Sequence, residues 1–332
     1  MPKSYMQVPA PAIPIAIVLA RFPAMMPTAL PPLTSLGYSL DTSPTAFGEL
    51  RDSREVADDP AALRGRMRED GYLFLRGLLD REAVLEARSE VTRRLAELGQ
   101  LEPGRPHRDA VARAGAAGAG FEALTAANEP LHRLLYGRTL IGWYERLLGG
   151  AIRHYDFTWF RAVPAGGRGT TPHCDVVYMS RGTHNLYTAW VPIGDVPLQV
   201  GGLMILENSH CQQERLSAYL SRDVDDYCTN RPDAADIEAG QKLWQDWDGR
   251  LSSNPVTLRE KLGGRWLTTG FEAGDVLTFG ISTVHASLDN RSDRFRLSSD
   301  SRYQLALEPA DARWIGERPV GHGPAAKRGV IC

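Results

Sequence analysis

The chain has 332 residues, 43% of them hydrophobic, which is enough for one large domain. Its 38 basic and 40 acidic side chains give a formal net charge of −2 and are mixed along the chain. No basic stripe is available to neutralise phosphates, so nucleic acid is not an expected partner. The four cysteines are far apart and form neither a CxxC pair nor a dense disulfide framework, a usage typical of the cytoplasm.

The first 36 residues are rich in Pro, Ala and Met and nearly free of charge. The apolar run at residues 12–20 has the length of a signal-peptide core, but proline interrupts it and it is too short to span a bilayer. A secretory signal is therefore the alternative, and we expect no membrane partner. We expect residues 1–45 to be a disordered N-terminal extension, in which Met25 or Met26 is a possible alternative start.

Residues 46–150 carry mainly helical patterns. A helix is predicted to begin at Pro60, and the segment Arg81 to Leu98 places its apolar residues near one face. A further helix is predicted from Glu129 to Leu148, with the following glycines as its stop signal. Between the first two helices, the short apolar run at residues 72–75 favours a strand.

From about residue 151, short strand-like runs alternate with Gly, Pro, Asn and Asp, which predicts a sandwich or barrel. These runs are Ile152 to Val163, Asn185 to Val191, Leu203 to Leu206, Val276 to Phe279 and Phe295 to Leu305. A polar, Trp-containing stretch at residues 212–262 is predicted to be a helical insertion, and insertions of this size often cover a site. The domain is expected to span residues 46–315, followed by a C-terminal tail at residues 316–332.

His173-Cys174-Asp175 is an H-x-D tripeptide. In extended backbone, residues i and i+2 point to the same face, so the imidazole and the carboxylate can meet at one metal ion, while Cys174 points away and packs. Because isolated H-x-D tripeptides are common, a third ligand is needed to complete a two-histidine, one-carboxylate set of the non-haem iron(II) type. His285, 110 residues after Asp175 and just beyond a predicted strand, is the candidate.

Two residues downstream of His285 are suited to binding a carboxylate. Arg296 lies 11 residues after His285 on a strand-like run, and its planar guanidinium can form a bidentate pair. Ser287 lies two residues after His285, on the same face of an extended strand, and offers a hydroxyl. The pattern predicts a dicarboxylate co-substrate with one end on the metal and the other on Arg296.

Three blocks between about residues 60 and 305 resemble the phytanoyl-CoA dioxygenase (PhyH) family of iron(II)/2-oxoglutarate oxygenases. They are Glu69 to Gly77, Trp190 to His210, and His285 to Tyr303. The resemblance implies a mainly β fold with flanking helices, a double-stranded β-helix or jelly roll of the cupin type. It also implies an oxidoreductase that uses iron(II), 2-oxoglutarate and O₂ to hydroxylate a C–H bond of a small-molecule substrate, releasing succinate and CO₂.

The resemblance also implies roles for individual residues. The positions that match the family's iron ligands are His173, Asp175 and His285, and those that match its 2-oxoglutarate residues are Arg296 and Ser287. Trp190 matches a pocket aromatic, and Arg161 stands where many members have another polar residue, so both are expected near 2-oxoglutarate. Asp175 favours hydroxylation because members that halogenate lack this carboxylate. Cys174 and Asn208 depart from the residues usual at their positions, which affects only substrate and loop details.

Tyr178, Arg181 and Trp244 are candidates for the substrate pocket. For Tyr178 and Trp244 the alternative is core packing. The acidic run at residues 223–226 is expected to be a solvated face rather than a second metal site. Two other functions stay open at this point: a catalytically silent jelly-roll binding protein, and a metal cupin that does not use 2-oxoglutarate. Neither the substrate nor the oligomeric state follows from the sequence, since one fold serves many substrates.

Overall fold

The computed structural model describes residues 32–118, 121–230, 232–239, 241 and 247–330. The described residues all belong to one compact unit. Its strands are β1 (Thr34–Ser35), β2 (Tyr38–Ser39), β3 (Phe47–Glu49), β4 (Tyr72–Leu75), β5 (Ile152–His154), β6 (Trp159–Val163), β7 (Leu186–Pro192), β8 (Leu203–Leu206), β9 (Asp226–Cys228), β10 (Trp266–Thr268), β11 (Val276–Gly280), β12 (His285–Ser287), β13 (Arg296–Leu305) and β14 (Arg328–Val330). Its helices are α1 (Pro60–Asp70), α2 (Arg81–Glu97), α3 (Phe121–Thr125), α4 (Glu129–Tyr136), α5 (Arg138–Leu148), α6 (Gln213–Leu220), α7 (Ala234–Glu238) and α8 (Pro255–Leu262).

Two β-sheets form the centre of the domain. The larger sheet has the order β4-β11-β7-β13-β5, with β6 also paired to β13, and the smaller sheet has the order β12-β8-β10-β3. Strand pairing is antiparallel within both sheets except between β10 and β3. Apolar side chains from the two sheets pack together in one buried cluster, so the sheets face each other as in a jelly roll without closing into a barrel.

Helices cover the other face of the larger sheet. The strand β4 illustrates the arrangement, because all four of its residues are buried. Leu73 and Leu75 pack among the side chains of α1, α2, α4 and α5, whereas Tyr72 and Phe74 pack between the two sheets. A strand buried on both faces is apolar throughout, which is why this predicted strand lacks alternation.

The N-terminal boundary of the domain differs from the prediction. Residues 1–31 lie outside the described part of the chain, but residues 32–45, which were expected to be disordered, pack against the domain. The Ser35 hydroxyl donates to the Ser287 carbonyl at 2.8 Å. The Asp289 carboxylate accepts from the backbone N–H groups of Leu36 and Gly37, each at 2.8 Å. The predicted domain start at residue 46 is therefore wrong, since residues 32–45 are held next to β12.

The helical prediction holds at Pro60 and fails at Gly137. Asp59 caps α1 by accepting from two backbone N–H groups, and Pro60 occupies the first turn, where its missing N–H has no cost. The single helix predicted over residues 129–148 is instead two helices, α4 and α5. Gly137 separates them in extended backbone, and a Cβ there would lie 2.2 Å from the Arg133 carbonyl oxygen.

The 212–262 insertion and the C-terminal tail are joined to each other. Strand β9 of the insertion pairs in parallel with β14 of the tail. The buried guanidinium of Arg313 binds the carboxylates of Asp223, Asp225 and Asp311. The expectation of a solvated acidic face is wrong, because Asp223 and Asp225 are only 6% and 2% exposed. No helix within the described residues is long and apolar enough to cross a membrane.

Candidate active site

Two histidines are held side by side through their backbones. The N–H of His173 donates to the carbonyl of His285, and the N–H of His285 donates back, both at 3.0 Å. The Nδ1 of His173 lies 2.7 Å from the Thr171 carbonyl, and that of His285 lies 3.0 Å from the Thr283 carbonyl. A carbonyl oxygen only accepts, so each Nδ1 carries the proton and each Nε2 keeps its lone pair.

Both of these lone pairs are directed at Asp175. Its Oδ1 lies 3.7 Å from His173 Nε2 and 3.6 Å from His285 Nε2. Its Oδ2 accepts from the Thr188 hydroxyl and from Nη2 of Arg302, the latter at 2.9 Å. One carboxylate oxygen is thereby committed to the protein, and the other faces the two imidazoles.

Burial sets the protonation of these groups. It lowers the pKa of His173 to about 3, with His285 contributing, and it also lowers the pKa of His285. Burial alone would raise the pKa of the Asp175 carboxyl, but Arg302, the imidazoles and Thr188 outweigh it and hold that pKa far below its usual range. Two neutral imidazoles and one carboxylate, all within 4.8 Å of one another, suit iron(II) as a ligand set.

His173 and Asp175 converge as predicted, but they do not lie together on a β-strand. Cys174 has extended backbone, and its Sγ points to the Ser282 carbonyl at 3.4 Å, away from the ligand atoms. Asp175 then begins a short 3₁₀ turn, Asp175–Val177. The Tyr219 hydroxyl of the insertion accepts from the Cys174 N–H at 3.0 Å, so the insertion contacts the ligand segment directly.

A narrow cavity of about 10 Å³ adjoins the histidines. It is lined by Arg161, Thr170, His173, Trp190, Leu203, His285, Arg296, Asp300 and Arg302. Several buried donor atoms here have no hydrogen-bond partner among the described residues, namely Arg296 Nε, Trp190 Nε1, and Nε and Nη1 of Arg302. Buried donors normally find acceptors, so the cavity is suited to an acceptor-rich ligand such as a carboxylate.

Arg296 is 1% exposed, as is Trp190. Its Nη1 donates to the Gly201 carbonyl at 3.0 Å, and no described carboxylate forms an ion pair with the guanidinium. Burial, reinforced by repulsion from Arg161, lowers the pKa of Arg296 to about 10, so it is still charged at neutral pH. Arg161 is held by Asp300, with Nε 3.2 Å from its carboxylate. Two neighbouring guanidiniums at the cavity favour an anion there.

Ser287 and Trp190 contribute neutral donors. The Ser287 hydroxyl oxygen accepts from the Thr170 N–H at 2.7 Å, and its own proton is available to donate. Ser287 lies on β12 with His285 and borders the cavity through Thr170, but it does not itself line the cavity. Trp190 lines it directly. Trp190 and Arg296 therefore offer buried donors in the cavity from which a carboxylate can accept.

The three expected substrate-pocket residues have different environments. Tyr178 packs edge-on against His173, with ring centroids 5.5 Å apart, and its hydroxyl donates to the Asp248 carbonyl. Arg181 instead belongs to the ion-pair network of the insertion and tail, because its Nε lies 2.7 Å from the Asp223 carboxylate. It does not line the cavity. Trp244 lies outside the described residues.

Three contributors to the site were missed in the sequence. Thr188 and Arg302 hold the second oxygen of Asp175, and the Trp159 ring stacks under Arg302 at 4.3 Å from its guanidinium carbon. One signal for Arg302 was present: it lies six residues after Arg296 on the same strand-like run, and an even spacing places both on one face.

The chain is similar to proteins of known family and fold. The family model for phytanoyl-CoA dioxygenase (PhyH) matches residues 67–298. The 1-deoxypentalenic acid 11-beta-hydroxylase of Streptomyces arenae is 26% identical over 279 residues, covering 78% of this chain and 86% of that protein.

Two solved structures share the fold. The non-haem alpha ketoglutarate dependent carbocyclase SnoK from nogalamycin biosynthesis has a TM-score of 0.52 at 18% identity, covering 76% of this chain and 88% of that one. The epimerase SnoN, in complex with Fe³⁺, alpha ketoglutarate and nogalamycin RO, has a TM-score of 0.50 at 24% identity, covering 80% and 95%. The predicted jelly-roll class is confirmed.

Proposed function

Because the chain belongs to the phytanoyl-CoA dioxygenase family of iron- and 2-oxoglutarate-dependent oxygenases, we propose that it hydroxylates a C–H bond of a small-molecule substrate and releases succinate and CO₂. The resemblance drawn from three sequence blocks is thus confirmed, and with it the enzyme class and the cofactors. The hydroxylase named among its relatives supports hydroxylation. The carboxylate of Asp175 supports it as well, since it completes a two-histidine, one-carboxylate set.

The assignment of iron to His173, Asp175 and His285 rests on one observation. Both Nε2 atoms and one carboxylate oxygen converge, while every other polar atom of the three side chains is engaged elsewhere. Partners of this kind fix ring orientation and ligand basicity in metal sites. Iron(II), once bound with 2-oxoglutarate and O₂, supplies the oxidising power for C–H cleavage.

The protein's contribution is to bind, orient and exclude water. We assign the distal carboxylate of 2-oxoglutarate to Arg296, with Ser287 and Trp190 as further donors and Arg161 as a second cation. Arg296 and Trp190 are 1% exposed, so water competes little for their donors and a charge-assisted hydrogen bond to the co-substrate keeps its strength.

An anaerobic titration tests the cofactor residues. Iron(II) and 2-oxoglutarate are added to the protein, and the weak visible charge-transfer band of chelated 2-oxoglutarate is recorded. We expect the band in the wild type and its loss in His173→Ala. The control is His184→Ala, an exposed histidine away from the cavity, which should keep the band. A wild type that binds iron without giving the band would contradict the 2-oxoglutarate assignment.

The mass of the product tests the reaction type. The same fold carries an epimerase and a carbocyclase, so succinate release alone does not establish hydroxylation. After a substrate is found by succinate release, hydroxylation predicts a product one oxygen atom heavier than the substrate, with that atom derived from ¹⁸O₂. An unchanged mass would indicate epimerisation, and a loss of two hydrogens would indicate ring closure. Either result would contradict the proposal.

A further inference from the structure

Arg302 has more donors than the protein uses. It is 4% exposed and lines the cavity beside both histidines. Only its Nη2 is bonded, to the outer oxygen of Asp175, while Nε and Nη1 have no partner among the described residues. If Arg302 served only to support Asp175, one hydrogen bond would not require a guanidinium with further desolvated donors. The Nε and Nη1 of Arg302 are therefore available to donate to an acceptor that the described residues do not provide.

An aromatic wall lies next to this guanidinium. The Trp159 ring stacks against Arg302, and it also packs against Phe157 and Trp314, with ring centroids 4.7 Å from each. Stacking on an indole fixes the plane of a guanidinium and so directs its free donors. These rings belong to the buried core and do not line the cavity, so the indole sets the plane of the guanidinium and offers no binding surface of its own.

The charges around the cavity give an independent argument. Three arginines, Arg161, Arg296 and Arg302, face two carboxylates, Asp175 and Asp300, which leaves an excess of one positive charge (3 − 2 = +1). Iron(II) and the dianion of 2-oxoglutarate cancel each other and leave this excess in place. Buried charges are costly unless they are paired, so one more negative charge is expected in the loaded site.

We propose that the substrate carries a carboxylate and that Arg302 binds this group beside the iron ligands. This inference rests on the proposed function and specifies the substrate class for the same site. Arg296 and Arg161 remain with 2-oxoglutarate, because they lie together at the other end of β13. The one other source of a carboxylate for Arg302 is the keto-acid end of 2-oxoglutarate itself, and the experiment separates the two.

The test uses matched pairs of probes that differ in charge but hardly in shape. They are cyclohexanecarboxylate with cyclohexanecarboxamide, and 1-adamantanecarboxylate with 1-adamantanecarboxamide. Each is titrated calorimetrically into the full chain loaded anaerobically with iron(II) and 2-oxoglutarate. We expect each acid to bind about tenfold or more tightly than its amide, the range of a charge-assisted hydrogen bond. In Arg302→Gln this preference should disappear, measured at iron(II) and 2-oxoglutarate concentrations at which the visible band shows the variant to be fully loaded.

Two further variants serve as controls, one for loss of iron and one for the change in net charge. Arg302→Lys keeps a cation beside Asp175 and should retain iron and part of the acid preference even if Arg302→Gln loses iron. Arg138→Gln removes an exposed arginine at the start of α5, so it controls for net charge and should behave as the wild type.

Three results would overturn the inference. They are amides that bind as tightly as acids, no binding of either acid, or an Arg302→Gln variant that loses 2-oxoglutarate affinity but keeps the acid preference, which would assign Arg302 to the co-substrate. If the wild type fails to give the visible band at all, the proposed function is at fault instead.

Discussion

The substitution Arg296→Met tests whether Arg296 binds 2-oxoglutarate and whether its buried charge lowers the stability of the ligand-free protein. The guanidinium is fully buried with one hydrogen bond, to Gly201, and no carboxylate partner among the described residues. A hydrogen bond to a charged group contributes about 1.5–3 kcal/mol, so loss of a bidentate pair to 2-oxoglutarate costs at least about 3 kcal/mol. At about 1.4 kcal/mol per factor of ten, affinity for 2-oxoglutarate should fall at least about a hundredfold.

The same substitution should leave the ligand-free protein as stable as before or more stable. Replacing a buried charge by an apolar side chain of similar length is often neutral or stabilising by about 1–4 kcal/mol. The lowered pKa of Arg296 points the same way, because it means that the folded protein disfavours the charged form. The Gly201 carbonyl loses its donor, which offsets about 1 kcal/mol of any gain.

Two assays decide the matter. Urea unfolding of the metal-free protein gives the free energy of unfolding, and the visible band gives the dissociation constant of 2-oxoglutarate. Arg66→Met is the matched control, because Arg66 is also buried but is bonded to the Asp52 carbonyl and the Glu55 carboxylate. It should lower stability by about 1–3 kcal/mol and leave 2-oxoglutarate affinity alone. If Arg296→Met is the destabilised variant, or loses less than about tenfold in affinity, the reasoning is refuted.

Three further predictions concern the support of the site. Thr188→Val removes a donor from Asp175 and should weaken iron(II) binding about tenfold in a competition titration; unchanged affinity would mean that Arg302 suffices. Gly169→Ala would place a Cβ 2.0 Å from the Ser287 carbonyl oxygen, so we expect a loss of at least about 1–3 kcal/mol in urea unfolding, and full stability would show that β12 yields easily. Arg313→Met removes the guanidinium that three buried carboxylates share, although Arg181 still pairs with Asp223 and His322 still contacts Asp225. It should cost about 3 kcal/mol, seen as a lower melting temperature; an unchanged value would make the network dispensable.

Local signals determined which elements of the fold could be predicted. Asp59 and Pro60 form a helix start that depends on neighbours in sequence alone, and α1 begins there. Strand β10 was not predicted, and β12 was expected only as extended backbone from His285 to Ser287, because each has three residues, too few for a periodic pattern. They are strands because both pair with β8, which is far away in the sequence. Gly137 was not recognised as a helix break, since the apolar pattern continues on both sides.

The same distinction applies to the candidate site. His173, Asp175 and His285 stand out by residue type and spacing, and the structure brings them together. The partners of Asp175 do not stand out, because Arg302 and Thr188 meet only through the register of β13 against β7. The acidic run at residues 223–226 was misinterpreted for the same reason: its partner Arg313 lies about 90 residues away, and an unpaired acidic run is ordinarily solvated.

Two arginines of the site lie on the face of β13 that is turned towards the smaller sheet. Arg296, Ser298, Asp300 and Arg302 alternate with residues that face the helices, so one strand contributes two cations that the described protein leaves partly unpaired. A row of this kind opposes stability, because unpaired buried donors are costly. It is tolerated where ligands complete the pairing, and the two arginines stand at opposite ends of the row. This spacing separates the proposed co-substrate position at Arg296 from the proposed substrate position at Arg302, with the Asp175 carboxylate beside the second.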